Sequence, residues 1–111
     1  GLNLSDASLG NVLFQNCNAN LLSFGYSKLK QVLFDSCSLR NADYYESNFN
    51  KVAFKNCDLN ESNFERTPLK GIDLSSCTFD QLNVSINDLA GCEVTSDQAI
   101  GFARLLGLII K

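Results

Sequence analysis

The sequence repeats one seven-residue phrase every twenty residues, as NVLFQNC at Asn11–Cys17, QVLFDSC at Gln31–Cys37, KVAFKNC at Lys51–Cys57 and GIDLSSC at Gly71–Cys77. A finer period of five runs through this frame, because large apolar residues recur at every fifth position from Leu4 to Val94. A small or aliphatic residue lies two positions before most of these centres. Five matches neither the 3.6-residue period of a helix nor the two-residue period of a long strand. The repeat therefore decides the fold.

Each five-residue unit predicts one side of a square coil. Two inward positions separated by one outward position form a short extended segment, and the other two residues turn the corner. Column identity recurs after twenty residues, so four sides close one coil. Sides 1 to 4 are centred on Leu4, Leu9, Phe14 and Ala19 in the first coil. With coils about 4.8 Å apart, nearly five coils predict a rod about 23 Å long.

Composition narrows the function classes. The chain has 111 residues, which predicts one domain, and its formal net charge of -3 argues against an electrostatic nucleic-acid binder. It has no histidine, no nucleophile signature and no glycine-rich phosphate loop, and its acids stand singly at outward positions. Asp58 and Asp80 could still meet across adjacent coils as paired carboxylates, but surface acids of a repeat array are usually only solvated. We therefore expect no enzyme, no cofactor and no metal.

The apolar runs and the cysteine content indicate in which cellular compartment the protein is expected. No apolar run approaches the roughly 18 residues of a membrane span, and no secretory leader is visible. Five cysteines are present, and the twenty-residue spacing of four of them is unlike the close pairs of a zinc site. We expect a reduced, cytoplasmic chain that does not contact membranes.

Cys17, Cys37, Cys57 and Cys77 form a ladder in one column. Adjacent coils would bring these residues within disulfide range, as judged by the separation of their Cα atoms. The favoured interpretation is that each is a small buried residue in the inward position, the role that Ala, Ser, Thr and Val fill in the other columns. Redox or metal chemistry is the alternative. Cys92 falls in a different column, that of Val12 and Ile72, and does not extend the ladder.

The period ends after Val94, so we expect a rod over residues 1–94 and a distinct tail over residues 95–111. Thr95 and Gln98 have the spacing of a capping box, Ala99–Leu106 is the predicted helix, and Gly107 ends it. A short strand over residues 108–110 should follow. One helix face can cover the last coil, as solenoids require. The remaining apolar surface predicts a two-fold dimer through Ile100, Phe102, Leu105, Leu106, Leu108, Ile109 and Ile110.

The repeat resembles the pentapeptide repeat family, whose unit is a small residue, Asp or Asn, Leu or Phe, and two polar residues. Cys57–Glu61 (CDLNE) and Ser62–Arg66 (SNFER) match this unit closely. The resemblance implies an all-β solenoid, a right-handed quadrilateral β-helix, with a short C-terminal α-helix. Ala19, Asn87 and Pro68 depart from the pattern.

The tail is similar to the C-terminal end of Qnr-type quinolone-resistance proteins from Gram-positive bacteria. The similarity lies in Asn87–Gly91, Val94–Thr95, Asp97–Ile100 and Leu106–Leu108. Members of that group are dimers joined by their C-terminal helices. They protect DNA gyrase and topoisomerase IV by mimicking duplex DNA. The resemblance therefore implies a non-catalytic, DNA-mimicking protein that acts in antibiotic resistance by binding these topoisomerases and does not itself bind nucleic acid.

Charge is unevenly distributed around the rod. Sides 1 and 4 carry only Arg40 and Arg66 as bases against seven acids, the predicted partner-binding residues Asp6, Asp43, Glu46, Asp58, Glu61, Glu65 and Asp80. Such a surface could attract a basic DNA-binding groove, or it could simply keep the rod soluble. Leu13 and Leu33 stack at an outward position, and Leu21, Tyr26 and Tyr45 are also expected at the surface. A scaffold that binds an unrelated protein partner is therefore the alternative function.

Overall fold

Three parallel strands lie one above another on sides 2 and 3 of the rod: β1 (Ser8–Gln15), β2 (Lys28–Asp35) and β3 (Asn48–Lys55). In the computed structural model, which describes residues 3–111, they pair in the order β1-β2-β3 with a shift of twenty residues. Sides 1 and 4 pair through single bridges at the same spacing, such as Asn18 with Ser38. The predicted right-handed quadrilateral β-helix is confirmed.

The corners require an unusual backbone conformation. Every fifth residue from Asp6 to Gly71 has a positive φ. Asn, Asp and Gly tolerate this conformation, whereas for other residues it costs about 1–2 kcal/mol of conformational free energy. Many corners also close a β-turn, as where the Ser27 N–H donates to the Phe24 carbonyl at 3.0 Å. The period of five therefore reflects a corner conformation as well as a packing pattern.

Two aromatic columns fill the interior. Phe34 stacks on Phe14 and Phe54 with ring centroids 4.9 and 5.0 Å apart. Tyr44 stacks in the same way on Phe24 and Phe64, at 5.2 and 4.8 Å. Rings of one column meet those of the other edge to face, a favourable arrangement for aromatic pairs. Every predicted centre from Leu4 to Val94 is buried or packs against the core.

The small inward residues also bond the coils together. The Ser62 hydroxyl donates to the Leu39 carbonyl at 2.7 Å, and the Cys57 thiol donates to the Phe34 carbonyl at 3.3 Å. In each case the acceptor is the central residue of a side in the preceding coil. Seven of the described residues follow this rule: Ser27, Ser47, Ser62, Thr67, Cys37, Cys57 and Cys77. Small size was predicted from the sequence, but the hydrogen bond was not.

The coils become irregular after β3. The N–H groups of Lys28 and Asn48 donate to the coil before them, and Pro68 occupies the same position in the next coil without an N–H. No strand follows β3 within residues 56–111. A 3₁₀ helix spans Ile86–Leu89. Asn87 occupies an inward position of the repeat but is exposed, because the 3₁₀ turn replaces the extended segment there.

The tail forms the helix α1 (Ser96–Leu105), which begins with the predicted capping box of Thr95 and Gln98. Gly107 has a φ of +80°, and the N–H groups of Gly107 and Leu108 donate to the carbonyls of Arg104 and Ala103. These two bonds constitute a Schellman motif. The strand expected over residues 108–110 is absent, because this segment pairs with no strand in the described part of the chain.

Gln98 also attaches α1 to the rod. Its Nε2 donates to the carbonyls of Leu74 and Cys77, at 2.9 and 3.0 Å, while its Oε1 accepts the Thr95 N–H. Phe102 packs against Phe79 with ring centroids 5.8 Å apart. The helix therefore covers the last coils through one amide and one aromatic contact.

We predict that Tyr44→Phe stabilises the protein. The Tyr44 hydroxyl is fully buried and has no hydrogen-bond partner among the described residues. Removing an unpaired buried hydroxyl should raise the free energy of unfolding by about 1 kcal/mol. Urea denaturation followed by circular dichroism measures this, with Tyr45→Phe on the surface as control. A destabilised Tyr44→Phe variant would show that the hydroxyl has a partner.

We predict that Gln98→Glu destabilises the protein, although Glu suits the capping-box position. Glutamate keeps the acceptor for the Thr95 N–H but loses both donors and places a charge beside the Leu74 and Cys77 carbonyls. The free energy of unfolding should fall by about 2–3 kcal/mol.

Thr95→Ala is the matched control for Gln98→Glu, because it removes only the cap and should cost about 1 kcal/mol. Urea denaturation of both variants gives the comparison. A Gln98→Glu variant as stable as the parent would show that the helix is held without the amide.

Candidate partner-binding surface

The seven acids of sides 1 and 4 fall into two groups. Three are engaged within the rod. Glu46 and Asp58 pair with Arg66 and Arg40, at 2.8 and 3.1 Å. The Asp43 carboxylate accepts the Tyr45 N–H at 2.9 Å. The other four are exposed and bond to no described residue through their carboxylates: Asp6, Glu61, Glu65 and Asp80. These four are the acids most available to a partner.

The positive charge of the rod is concentrated on side 2. Lys28 and Lys30 lie on β2. Lys51 lies at the corner within β3, and Lys70 follows on the same side of the fourth coil. Asp88 is the one acid on this side within the described residues. Side 2 lies opposite side 4, so the rod has a basic side and an acidic side facing away from each other. A charged partner would therefore meet the rod in a preferred orientation.

Side 1 carries a cluster of large side chains that the charge pattern did not predict. The rings of Tyr26 and Tyr45 meet edge to face, at an angle of 78° and with centroids 5.6 Å apart. Arg66 lies beside them, and its pKa is raised first by its hydrogen bond to Glu46 and also by the proximity of Tyr45. Leu21, at the corner between sides 4 and 1, is 63% exposed, and Tyr26 is 55% exposed. We call these four residues, Leu21, Tyr26, Tyr45 and Arg66, the side 1 cluster.

Side 3 has the stacked leucines that the sequence indicated. Leu13 and Leu33 are neighbours in β1 and β2, and Leu13 is 56% exposed whereas Leu33 is half-buried. Ala53 follows in β3, so the apolar strip narrows after two coils.

The tail presents a second apolar surface. Of the seven residues predicted for the dimer interface, six are exposed large hydrophobic residues: Ile100, Leu105, Leu106, Leu108, Ile109 and Ile110. The seventh, Phe102, is half-buried against Phe79 and belongs to the cap as well. A groove of about 460 Å³ separates α1 from side 1 of the last coil, with Ile86, Leu89 and Phe102 among its walls.

The cysteine ladder is part of the core. Cys37, Cys57 and Cys77 are buried. A hydrogen bond with Cys77 raises the pKa of the Cys57 thiol, and burial raises it further. Cys17 lies in the first coil and is exposed, because no described coil packs against that end. The prediction that all four cysteines of the ladder are buried is therefore wrong for Cys17. Burial also raises the pKa of Cys92, to about 11. In residues 3–111 no three His, Cys, Asp or Glu side chains cluster as metal ligands would.

Within residues 3–111, α1 is too short and too polar to cross a bilayer, and no other helix is longer.

Comparison with known proteins identifies the architecture. A pentapeptide repeat protein from the thylakoid lumen of Arabidopsis thaliana is 16% identical, with a TM-score of 0.62 over 91% of this chain and 77% of its own. Full-length QnrB1, a plasmid-mediated fluoroquinolone resistance protein, is 18% identical, with a TM-score of 0.48 over 97% and 74%. At such low sequence identity, a structural similarity is informative about the fold and not about the function. No curated protein sequence matches the chain.

The model of the pentapeptide repeat region matches residues 1–64. This is more than half of the chain, and the coils observed beyond it keep the same period as far as the fifth coil. The chain belongs to the pentapeptide repeat family.

Proposed function

We propose that this protein binds DNA gyrase or topoisomerase IV in place of DNA, without catalysis, and so protects the enzyme from quinolones. The observation that carries the proposal is the placement of Asp6, Glu61, Glu65 and Asp80, which are exposed on two adjacent sides of one rod and whose carboxylates bond to none of residues 3–111. The tail's similarity to Qnr-type proteins of Gram-positive bacteria supports it. The proposed partners imply a cytoplasmic location.

The proposed mechanism is competition for one surface of the enzyme. Carboxylates on sides 1 and 4 would stand where phosphates of duplex DNA otherwise lie, and the basic side 2 would face away from the enzyme. Opposed charge would steer the rod into a positively charged groove and set its orientation there. An enzyme whose DNA-binding groove is occupied in this way cannot form the DNA complex that a quinolone attacks.

The charges of the rod set a limit on this mimicry. Duplex DNA carries about one charge per 1.7 Å, or about 14 over a length of 23 Å. Sides 1 and 4 together carry seven acids against Arg40 and Arg66. Carboxylates alone would therefore compete weakly with DNA.

Charge reversal on the acidic sides tests the proposal. Glu61→Lys with Asp80→Lys should weaken binding to purified gyrase about tenfold or more at low salt, and less at high salt, because exposed charges are screened. Titration at two salt concentrations, with duplex DNA as competitor, measures this.

The matched control is Glu93→Lys, which reverses an exposed acid on side 3 and should leave binding nearly unchanged. No binding by the parent chain, or an equal loss from Glu93→Lys, would contradict DNA mimicry. Salt-insensitive binding that is lost with Leu13→Ala would favour the alternative, a scaffold whose leucine patch on side 3 binds a protein partner.

We also propose that residues 95–111 form a separate unit that joins two copies through a two-fold axis. The support is the exposed apolar surface of α1 and of the segment after Gly107, where Ile109 is 87% exposed. A second copy could cover this surface symmetrically.

We predict that Ile109→Asp converts the proposed dimer to a monomer, because it places a charge within the apolar interface. Sedimentation velocity measures the mass. Leu13→Asp introduces the same charge at an exposed apolar residue on side 3 and should leave the dimer intact. A monomeric parent chain would overturn the proposal.

A further inference from the structure

We propose that side 1 is the side of the rod that contacts the enzyme, through Leu21, Tyr26 and Tyr45, and that these residues receive an apolar side chain of the partner bordered by Lys or Arg. The inference rests on the proposed function, because it takes a topoisomerase as the partner. It assigns the apolar part of that contact. An apolar part is needed because the carboxylates of the rod alone would compete weakly with DNA.

The two acidic sides differ in their large outward side chains. Side 1 has the side 1 cluster of Leu21, Tyr26, Tyr45 and Arg66. The outward residues of side 4 are all polar apart from Leu21 at its shared corner, namely Asn18, Asn20, Ser38, Arg40, Asn41, Asp58, Asn60, Glu61, Thr78, Asp80 and Gln81. Tyrosine and arginine are the residue types most often found at the energetic centre of protein interfaces. Side 4 can therefore steer a partner by charge, whereas side 1 can also bury apolar area.

The backbone strengthens this assignment. Leu21 and Tyr26 have φ values of 64° and 58°, and they are the only large apolar residues among the described corners with positive φ. Asn41, in the same column as Leu21 one coil later, is a residue that suits this conformation. Neither Leu21 nor Tyr26 is buried, so the fold gains little from their apolar side chains. A residue that suits neither its backbone nor its solvent exposure indicates a role in binding.

Three members of the cluster, Tyr26, Tyr45 and Arg66, are also held in place before any partner arrives. The edge-to-face contact holds Tyr26 against Tyr45, and the Arg66–Glu46 ion pair lies beside Tyr45. Tyrosine has few rotatable bonds, so fixing it in advance lowers the entropy lost on binding. The exposed carboxylates of Asp6 and Glu65 lie on the same side. This arrangement favours a partner in which basic residues surround an apolar one.

The test is the double variant Leu21→Asn with Tyr26→Asn, because asparagine suits the corner backbone and removes only the apolar groups. Its thermal unfolding midpoint should equal or exceed that of the parent. Binding to purified gyrase, measured by titration, should weaken about tenfold or more. The salt dependence of binding should stay unchanged, because no charge has been removed. Leu13→Ala, which copies Ala53 of β3, is the matched control and should bind as the parent does.

Three outcomes decide between the possibilities. A double variant that binds gyrase as tightly as the parent overturns the assignment of side 1 while leaving the proposed function in place. Loss of binding with Leu13→Ala instead would move the contact to side 3 and overturn it as well. If the parent chain binds neither gyrase nor topoisomerase IV, the proposed function fails, and the assignment of side 1 fails with it.

Discussion

Hydrogen bonding between successive coils is the constraint on which the rest of this structure depends. Each coil must present its backbone groups to the next at a shift of twenty residues, so every side must contain five residues. This requirement explains the positive φ at the corners and the narrow interior. It also explains the small inward residues, whose hydroxyl and thiol groups donate to carbonyls of the coil before. The same inward positions therefore fill the interior and give backbone carbonyls a hydrogen-bond donor.

The interior could be predicted from the sequence because its period is unbroken. The centres from Leu4 to Val94, the four-sided coil and the capping box of Thr95 and Gln98 follow from residue types at fixed spacing. The hydrogen bonds of the small residues could not be predicted as easily, because Ala42 and Val32 fill equivalent inward positions without a donor. Spacing also gave no indication that the Gln98 amide bonds to Leu74 and Cys77, since those acceptors are brought close only by the coiling of the chain.

The candidate surface was predicted only in part. Sorting charges by side gave the acidic sides, but it treated all seven acids alike. The ion pairs of Glu46 and Asp58 depend on residues twenty and eighteen positions away along the chain. Asn87 was misplaced because a 3₁₀ helix replaces the extended segment at that position, although the register continues to Val94. The contact between Tyr26 and Tyr45 likewise crosses from one coil to the next, and only the structure reveals it.

The twenty-residue register makes the position of every residue depend on the number of residues that precede it in the rod. Inward and outward positions, and the side to which each belongs, are counted from the preceding coil. Replacing an outward residue changes one point on the surface and leaves the interior columns as they were. Inserting or deleting one residue within a coil would move every later residue to a new position, unless a bulge at a corner absorbed the change. Such a rod can vary its surface freely by substitution, whereas changes in length are confined to corners or to whole coils.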